Sequence, residues 1–352
     1  MEKDVYLKAV ENTAEMEKNV PAGYQRIFMS TRGKYGAPEV FHVRNFTVEE
    51  ALELGSIAPE ELPIKVTDLL QKIILEKDVD VKRFYEPEVA EFMIHFYQSF
   101  YGNILKEQKY EVTDKDKEWM KNNVYGGKET SEYLNWIRGI ENGQVKLHYD
   151  IDLRYIKFYS LPEKPTSKIK YKNGNFTCVF QYPRFGDTAL LQRAIKEKFR
   201  AQDRQFGPLY ETYKRKQDAE ARLRKGENVA IDSIPYLDQD DMEAVKGYEL
   251  EKTSYIISMM KGLYLVELNG EDVSEKDLSE RVEIAKDPRI DFSTYQTVAE
   301  NFNKLKIGPI PEIEITNPVS GELTKVDHPF RSLELLAAIK DYKPDNASIE
   351  FI

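Results

Sequence analysis

The stretch that most constrains the fold runs from Glu86 to Gly102, Glu-Pro-Glu-Val-Ala-Glu-Phe-Met-Ile-His-Phe-Tyr-Gln-Ser-Phe-Tyr-Gly. Val89, Phe92, Met93, Phe96, Tyr97 and Phe100 recur at three- and four-residue steps, so a helix here has one continuous apolar face. Pro87 suits the first helical turn, where a missing N–H has no partner to lose, and Gly102 can take the left-handed conformation that closes a helix. Aromatic side chains bring a large apolar area to a short segment. This helix is therefore expected at the centre of an N-terminal core, and nothing in it points to catalysis.

A chain of 352 residues has room for two domains, or for one domain with a large insertion. It contains no run of about eighteen apolar residues, so no membrane span is expected. Met1-Glu2-Lys3-Asp4 lacks the apolar core of an export signal. The single cysteine, Cys178, excludes an internal disulfide framework and a cysteine-based zinc site. A net charge of −10 argues against a protein whose main task is gripping nucleic-acid phosphates. With 22 Tyr and 17 Phe against 2 Trp, the composition leans toward half-buried, interface-forming surfaces.

Along the chain, residues 1–23 read as a charged terminal arm broken at Pro21-Ala22-Gly23. Ser30 to Gly36 is a turn-rich loop; the phosphate-loop spacing is absent, so an ordinary loop is expected. Glu39 to Arg44 alternates as a strand with Phe41 and Val43 on one side, and Thr47-Val48-Glu49-Glu50 is a capping box. Helices are expected over Ile64 to Leu75 and from Thr113 toward Val124. Leu147 to Tyr155 alternates cleanly as a strand, and Asn173-Gly174 signals a type I′ hairpin returning through Phe176 to Tyr182. A helix then runs from Asp187, its cap, to Phe199. Tyr210 to Lys225 reads as a solvated basic helical face with interleaved acids. Asp238-Gln239-Asp240-Asp241 starts a further helix through Met260, since carboxylates suit the positive dipole end. Leu263 to Gly270 reads as a strand and turn, with short helices at 278–285 and 294–306. Ile310 to Ile315 and Leu323 to Val326 flank a final hairpin turn, and Leu333 to Ile339 closes the chain as a helix.

This gives an α+β fold: an N-terminal α/β part with a β-hairpin region (24–185), a mostly helical region (186–306), and a C-terminal hairpin and helix (307–352). The four histidines, His42, His95, His148 and His328, fall in different elements, and no pair has metal-site spacing. Cys178 falls on the inward side of its strand, as a buried thiol would. No nucleophile elbow, Walker loop or dinucleotide turn is present. No catalytic, metal or cofactor residue is therefore proposed from the sequence.

The order of these pieces resembles the baseplate and hub proteins of contractile-tailed, T-even-type bacteriophages. Phe28-Met29-Ser30-Thr31-Arg32-Gly33-Lys34-Tyr35 resembles that family's Pro-Ser-(Arg/Lys)-Gly-x-x-Tyr opening. The Val40–Arg44 strand and the Phe46–Glu50 cap follow, and the Val89–Gly102 helix is similar to its Leu-x-x-x-x-Ser-x-Gly segment. Asp152-Leu153, the hairpin at Gly174, Tyr182-Pro183, Ile256 to Gly270 and Gly308 to Phe330 resemble the central and C-terminal parts. Relatives often carry cysteine pairs near the final hairpin, and Asn317 to Gly321 has none, so no metal-ribbon role is implied. Gln205 to Asp241 stands as a segment peculiar to this chain.

The resemblance implies a non-enzymatic virion protein of the tail baseplate or hub, made and assembled in the host cytoplasm. Its partners would be other phage tail and baseplate proteins or further copies of this chain, with no cofactor, nucleic acid or membrane span. Tyr24, Phe28 and Tyr35 are the expected interface anchors. Competing expectations are a tail-assembly chaperone absent from the particle, a cytosolic enzyme with a dispersed site, and a nucleic-acid binder acting through Arg215 to Lys225.

Overall fold

A computed structural model describes residues 20–56, 62–161, 167–224, 236–290, 292–302 and 306–327. The expected arm at 1–19, the helix at Leu333 to Ile339 and His328 lie outside the described residues. Helices are α1 (Val48–Ser56), α2 (Leu62–Ile73), α3 (Glu86–Tyr101), α4 (Asp114–Asn123), α5 (Ser131–Glu141), α6 (Phe185–Arg224), α7 (Gln239–Tyr264), α8 (Leu278–Ile284) and α9 (Phe292–Phe302). Strands are β1 (Tyr24–Phe28), β2 (Val40–Arg44), β3 (Ile104–Tyr110), β4 (Leu147–Asp152), β5 (Lys168–Asn173) and β6 (Phe176–Gln181), then β7 (Leu265–Leu268), β8 (Glu271–Asp272), β9 (Glu312–Thr316) and β10 (Leu323–Asp327). The chain is α+β, with small antiparallel sheets and a helical middle region. The described residues form two compact units: those within 20–56, 69–161 and 306–327 make one, those within 62–68 and 167–302 the other.

In the first unit β1 pairs antiparallel with β2, placing Ile27 opposite Phe41. Ile27, Phe41 and Val43 share the buried side of this ribbon. The capping box forms as its residues dictate: the Glu50 N–H donates to Thr47 Oγ1 at 3.2 Å, and Glu50 Oε2 accepts from the Thr47 N–H at 2.9 Å. α3 is buried on all sides along most of its length, not on one face alone, because Glu88, Ala90, Glu91 and Ile94 are buried as well as the aromatic row. Phe41 meets Phe92 at 5.2 Å and Phe84 at 5.7 Å, and Phe46 meets Phe96 at 5.2 Å, all edge-on.

β3 pairs with β4. The expected strand through Tyr155 is shorter than its alternation suggests. It ends at Asp152, whose carboxylate accepts the Arg154 N–H at 3.0 Å and turns 153–155 into a 3₁₀ segment, leaving Tyr155 exposed. The β9–β10 hairpin forms around Asn317, whose Nδ2 donates to Asp116 Oδ1 at 2.6 Å and to the Tyr110 hydroxyl at 3.0 Å. Burial raises the Asp116 pKa, but donors from Asn317, Thr113 and Tyr110 together hold it below the usual carboxylate range.

The second unit has a four-stranded antiparallel sheet in the order β5-β6-β7-β8. Phe176, Cys178 and Phe180 pack there with Leu191, Met259, Leu263, Tyr295 and Val298. The β5–β6 register pairs Asn173 with Phe176, so the loop residues are Gly174 and Asn175. Only Gly174 of the two has positive φ, the pattern of a type II′ turn in place of the expected I′. The type I′ combination instead sits at Asn269-Gly270, with φ of 50° and 87°, closing β7 onto β8.

The expected separate helices at 187–199 and 210–225 are one helix, α6, of 40 residues, continuous through Pro208. It rises by about 60 Å at 1.5 Å per residue. It runs antiparallel to α7: Phe199 meets Tyr255 at 5.5 Å, Phe206 meets Tyr248 at 5.5 Å, and Tyr213 clusters with Leu237 and Val245. On α7 the seam residues Val245, Tyr248, Lys252, Tyr255 and Met259 alternate three- and four-residue steps, the spacing of a coiled coil. Asp238 caps α7 by accepting the Asp241 N–H at 2.8 Å, as expected of a helix start.

Candidate interaction surface

Alternation along β1 puts Tyr24, Arg26 and Phe28 on the side opposite Ile27. The register places Arg44, His42 and Val40 across from them. Phe28 is 56% exposed, and the Arg26 guanidinium lies over its ring at 4.5 Å, a cation–π pair on the surface. Tyr24 is half-buried beside Arg44. Arg44 donates to both carboxylate oxygens of Glu50, at 2.7 and 2.8 Å. These bonds hold Glu50 down at about 2, against an ordinary value of 4.5. His42 is buried, and Glu76 accepts from its backbone N–H at 2.9 Å and meets its Nδ1 at 2.7 Å.

The loop between β1 and β2, expected to be ordinary, is pinned from beneath by α3. Glu88 accepts from Thr31 Oγ1 at 2.9 Å, from the Gly36 N–H at 3.0 Å, from the Ala37 N–H at 3.1 Å and from the Tyr85 N–H at 3.0 Å. Glu91 accepts from the Ser30 N–H at 2.5 Å and from Ser30 Oγ at 2.8 Å. Both carboxylates are fully buried. Burial pushes the Glu88 pKa up despite its hydrogen bonds. The loop also presses so closely on the segment before α3 that a Cβ on Gly36 would lie 2.0 Å from the Arg83 carbonyl oxygen. Arg32, Gly33 and Lys34 remain exposed at its tip.

Of the three expected anchors, Phe28 stands open, and Tyr24 and Tyr35 are half-buried. Tyr24 and Phe28 share one face of β1. Tyr35 lies in the loop, edge-on to Tyr85 at 6.1 Å, with its hydroxyl pKa raised by burial and by Glu88. Sequence reading missed the clamp. The available signal was the pair Glu88 and Glu91, one helical turn apart, in a stretch otherwise apolar from Pro87 through Ile94.

His95 is half-buried, stacks on Phe158 at 5.3 Å, and has Nε2 3.7 Å from Glu91. Cys178 is buried, and burial pushes its thiol up to about 11. Among the described residues no group of three or more His, Cys, Asp or Glu is placed to hold a metal ion. Among the same residues no helix is long and apolar enough to cross a membrane. No protein-family model matches the chain, and searches of curated proteins and of solved structures find no significant match.

Proposed function

We propose that this protein is a non-enzymatic structural component of a contractile bacteriophage tail, at the baseplate or its hub, acting by binding neighbouring tail subunits. The observation that carries the reading is the open Phe28–Arg26 pair on a strand whose following loop is fixed by two buried carboxylates. An aromatic anchor with a stacked guanidinium is the kind of residue that dominates binding energy at protein interfaces. A loop already ordered by Glu88 and Glu91 has less conformational freedom to lose on docking. The clamped residues, Ser30 to Ala37, overlap the segment Phe28 to Tyr35 that resembles the opening of the baseplate family.

Phe28→Ala tests this directly. Phe28 is on the surface, so the isolated fold should keep its stability to within about 0.5 kcal/mol. Incorporation into tails should fall by tenfold or more, on the order of a 1.4 kcal/mol loss. Tyr24→Ala and Tyr35→Ala should weaken incorporation with some loss of stability, since both side chains are half-buried. Normal incorporation of all three variants would remove this face from the interface.

A further inference from the structure

The second unit contains a cleft of about 300 Å³, lined by Lys168 at the start of β5, Arg184 just before α6 and Arg281 in α8, among others. We propose that this cleft binds the oxyanion group, phosphate or carboxylate, of a small ligand through Lys168, Arg184 and Arg281. Three cationic side chains from three separate elements converge there in a chain whose net charge is −10. Guanidinium forks match carboxylate and phosphate oxygens in pairs. The volume falls at the lower end of the range for small-molecule sites.

Two further observations point to an anion. Arg281 Nε is buried without a hydrogen-bond partner, a state that buried donors rarely keep. The same guanidinium is already held in place, since Nη2 donates to the carbonyls of Leu263 and Leu265. Its ordering is thus complete before any ligand arrives. Burial depresses the Arg281 pKa against the attraction of Asp187, and Arg184 adds a like-charge repulsion that an anion in the cleft would offset. Arg184 is likewise fixed: with the Gln181 amide oriented to suit it, the Gln181 oxygen accepts from Nε at 2.5 Å and from Nη2 at 2.6 Å.

Two carboxylates share the lining and oppose the ligand's charge. Asp187 Oδ2 accepts from the Arg184 N–H at 2.9 Å, and burial raises its pKa against the pull of Arg184 and Arg281. Glu275 is exposed, where solvent screens it. Ser167 and Ser274 complete the polar lining.

The test is calorimetric titration and thermal melting of the full chain with inorganic phosphate and, separately, with citrate. Sodium chloride at matched ionic strength is the control. The expected result is saturable binding and a rise in Tm with at least one of the two anions and not with chloride. Arg184→Gln and Lys168→Gln should each weaken binding about tenfold or more, Arg184→Lys should weaken it less, and Lys325→Gln, in another sheet, should change nothing. If circular dichroism shows Arg184→Gln unfolded, Lys168→Gln carries the comparison. Binding by phosphate alone or by citrate alone tells which chemistry the cleft prefers. An equal Tm rise in chloride, no binding of either anion, or wild-type affinity in folded Arg184→Gln and Lys168→Gln would overturn the proposal.

Discussion

In the first unit, Glu88 and Glu91 sit on a helix enclosed along most of its length, and the bonds they accept tie down a loop. In the second unit, Asp203 sits on the seam of two long helices, partly open to water, and meets Tyr248 and Lys252. Lys252 Nζ is 2.7 Å from Asp203 and 2.8 Å from the Tyr248 hydroxyl. The residue chemistry is similar and the burial is not. A fully enclosed carboxylate must be satisfied by many donors or its desolvation goes uncompensated. A seam carboxylate can exchange partners with water, so it contributes less to stability and more to alignment, as polar residues at coiled-coil seams do. α3 thus organises a fixed surface, and the α6–α7 pair is a long rod in which the Asp203 contact lies between aromatic layers, beside the Gln202–Glu251 and Tyr210–Glu249 hydrogen bonds.

The sharpest way to break this comparison is Glu88→Ala. It removes the acceptor of four donors. At about 1–3 kcal/mol for each buried donor left unpaired, less what partial rehydration returns, stability should fall by about 4 kcal/mol. Urea unfolding would measure it, and a loss below about 1 kcal/mol would show that the clamp is dispensable.

A pH series separates two carboxylates of the same unit by the sign of their effect. Glu50 is held at about 2, below its ordinary 4.5, so its contribution is present above pH 4.5 and is lost as pH falls toward 2. Glu50→Gln should remove that acid-side loss, on the order of 2 kcal/mol. Glu88 is raised, so the folded state holds its proton more tightly than the unfolded state does. Its contribution therefore declines as pH rises from its ordinary value through its raised one. Glu88→Gln should flatten that decline in urea midpoints measured across pH 4–8, and an unchanged slope would contradict the assignment.

The smallest effect belongs to the seam. A double-mutant cycle on Asp203 and Lys252 should give a coupling of about 0.5–1 kcal/mol, as half-exposed pairs do. A coupling as large as the Glu88 loss would erase the distinction between the two units.

What was legible in the sequence was local. The Glu86–Tyr101 helix, the Thr47–Glu50 box and the hairpin about Asn317 follow from residues a few positions apart. The loop clamp was not legible, because Glu91 and Ser30 are 61 residues apart and nothing short-range links them. Asn317 and Asp116 are 201 residues apart and were equally hidden. The continuity of α6 through Pro208 went against local propensity. The aromatic seam with α7 supplies packing on both sides of the proline, at Phe199 and Phe206 before it and Tyr210 after it. For the candidate site, the sequence indicated aromatic residues at 24, 28 and 35, and only the fold separates the open Phe28 from its half-buried neighbours.

We propose that the protein works as a bound subunit of a tail. Quantitative peptide mass spectrometry on gradient-purified particles, from cells in which the protein is made, measures that directly. The account predicts its peptides at a constant ratio to those of the tail proteins across independent preparations. Particles free of it, from lysates that contain it, would contradict the account and favour an assembly factor that leaves before the tail is complete.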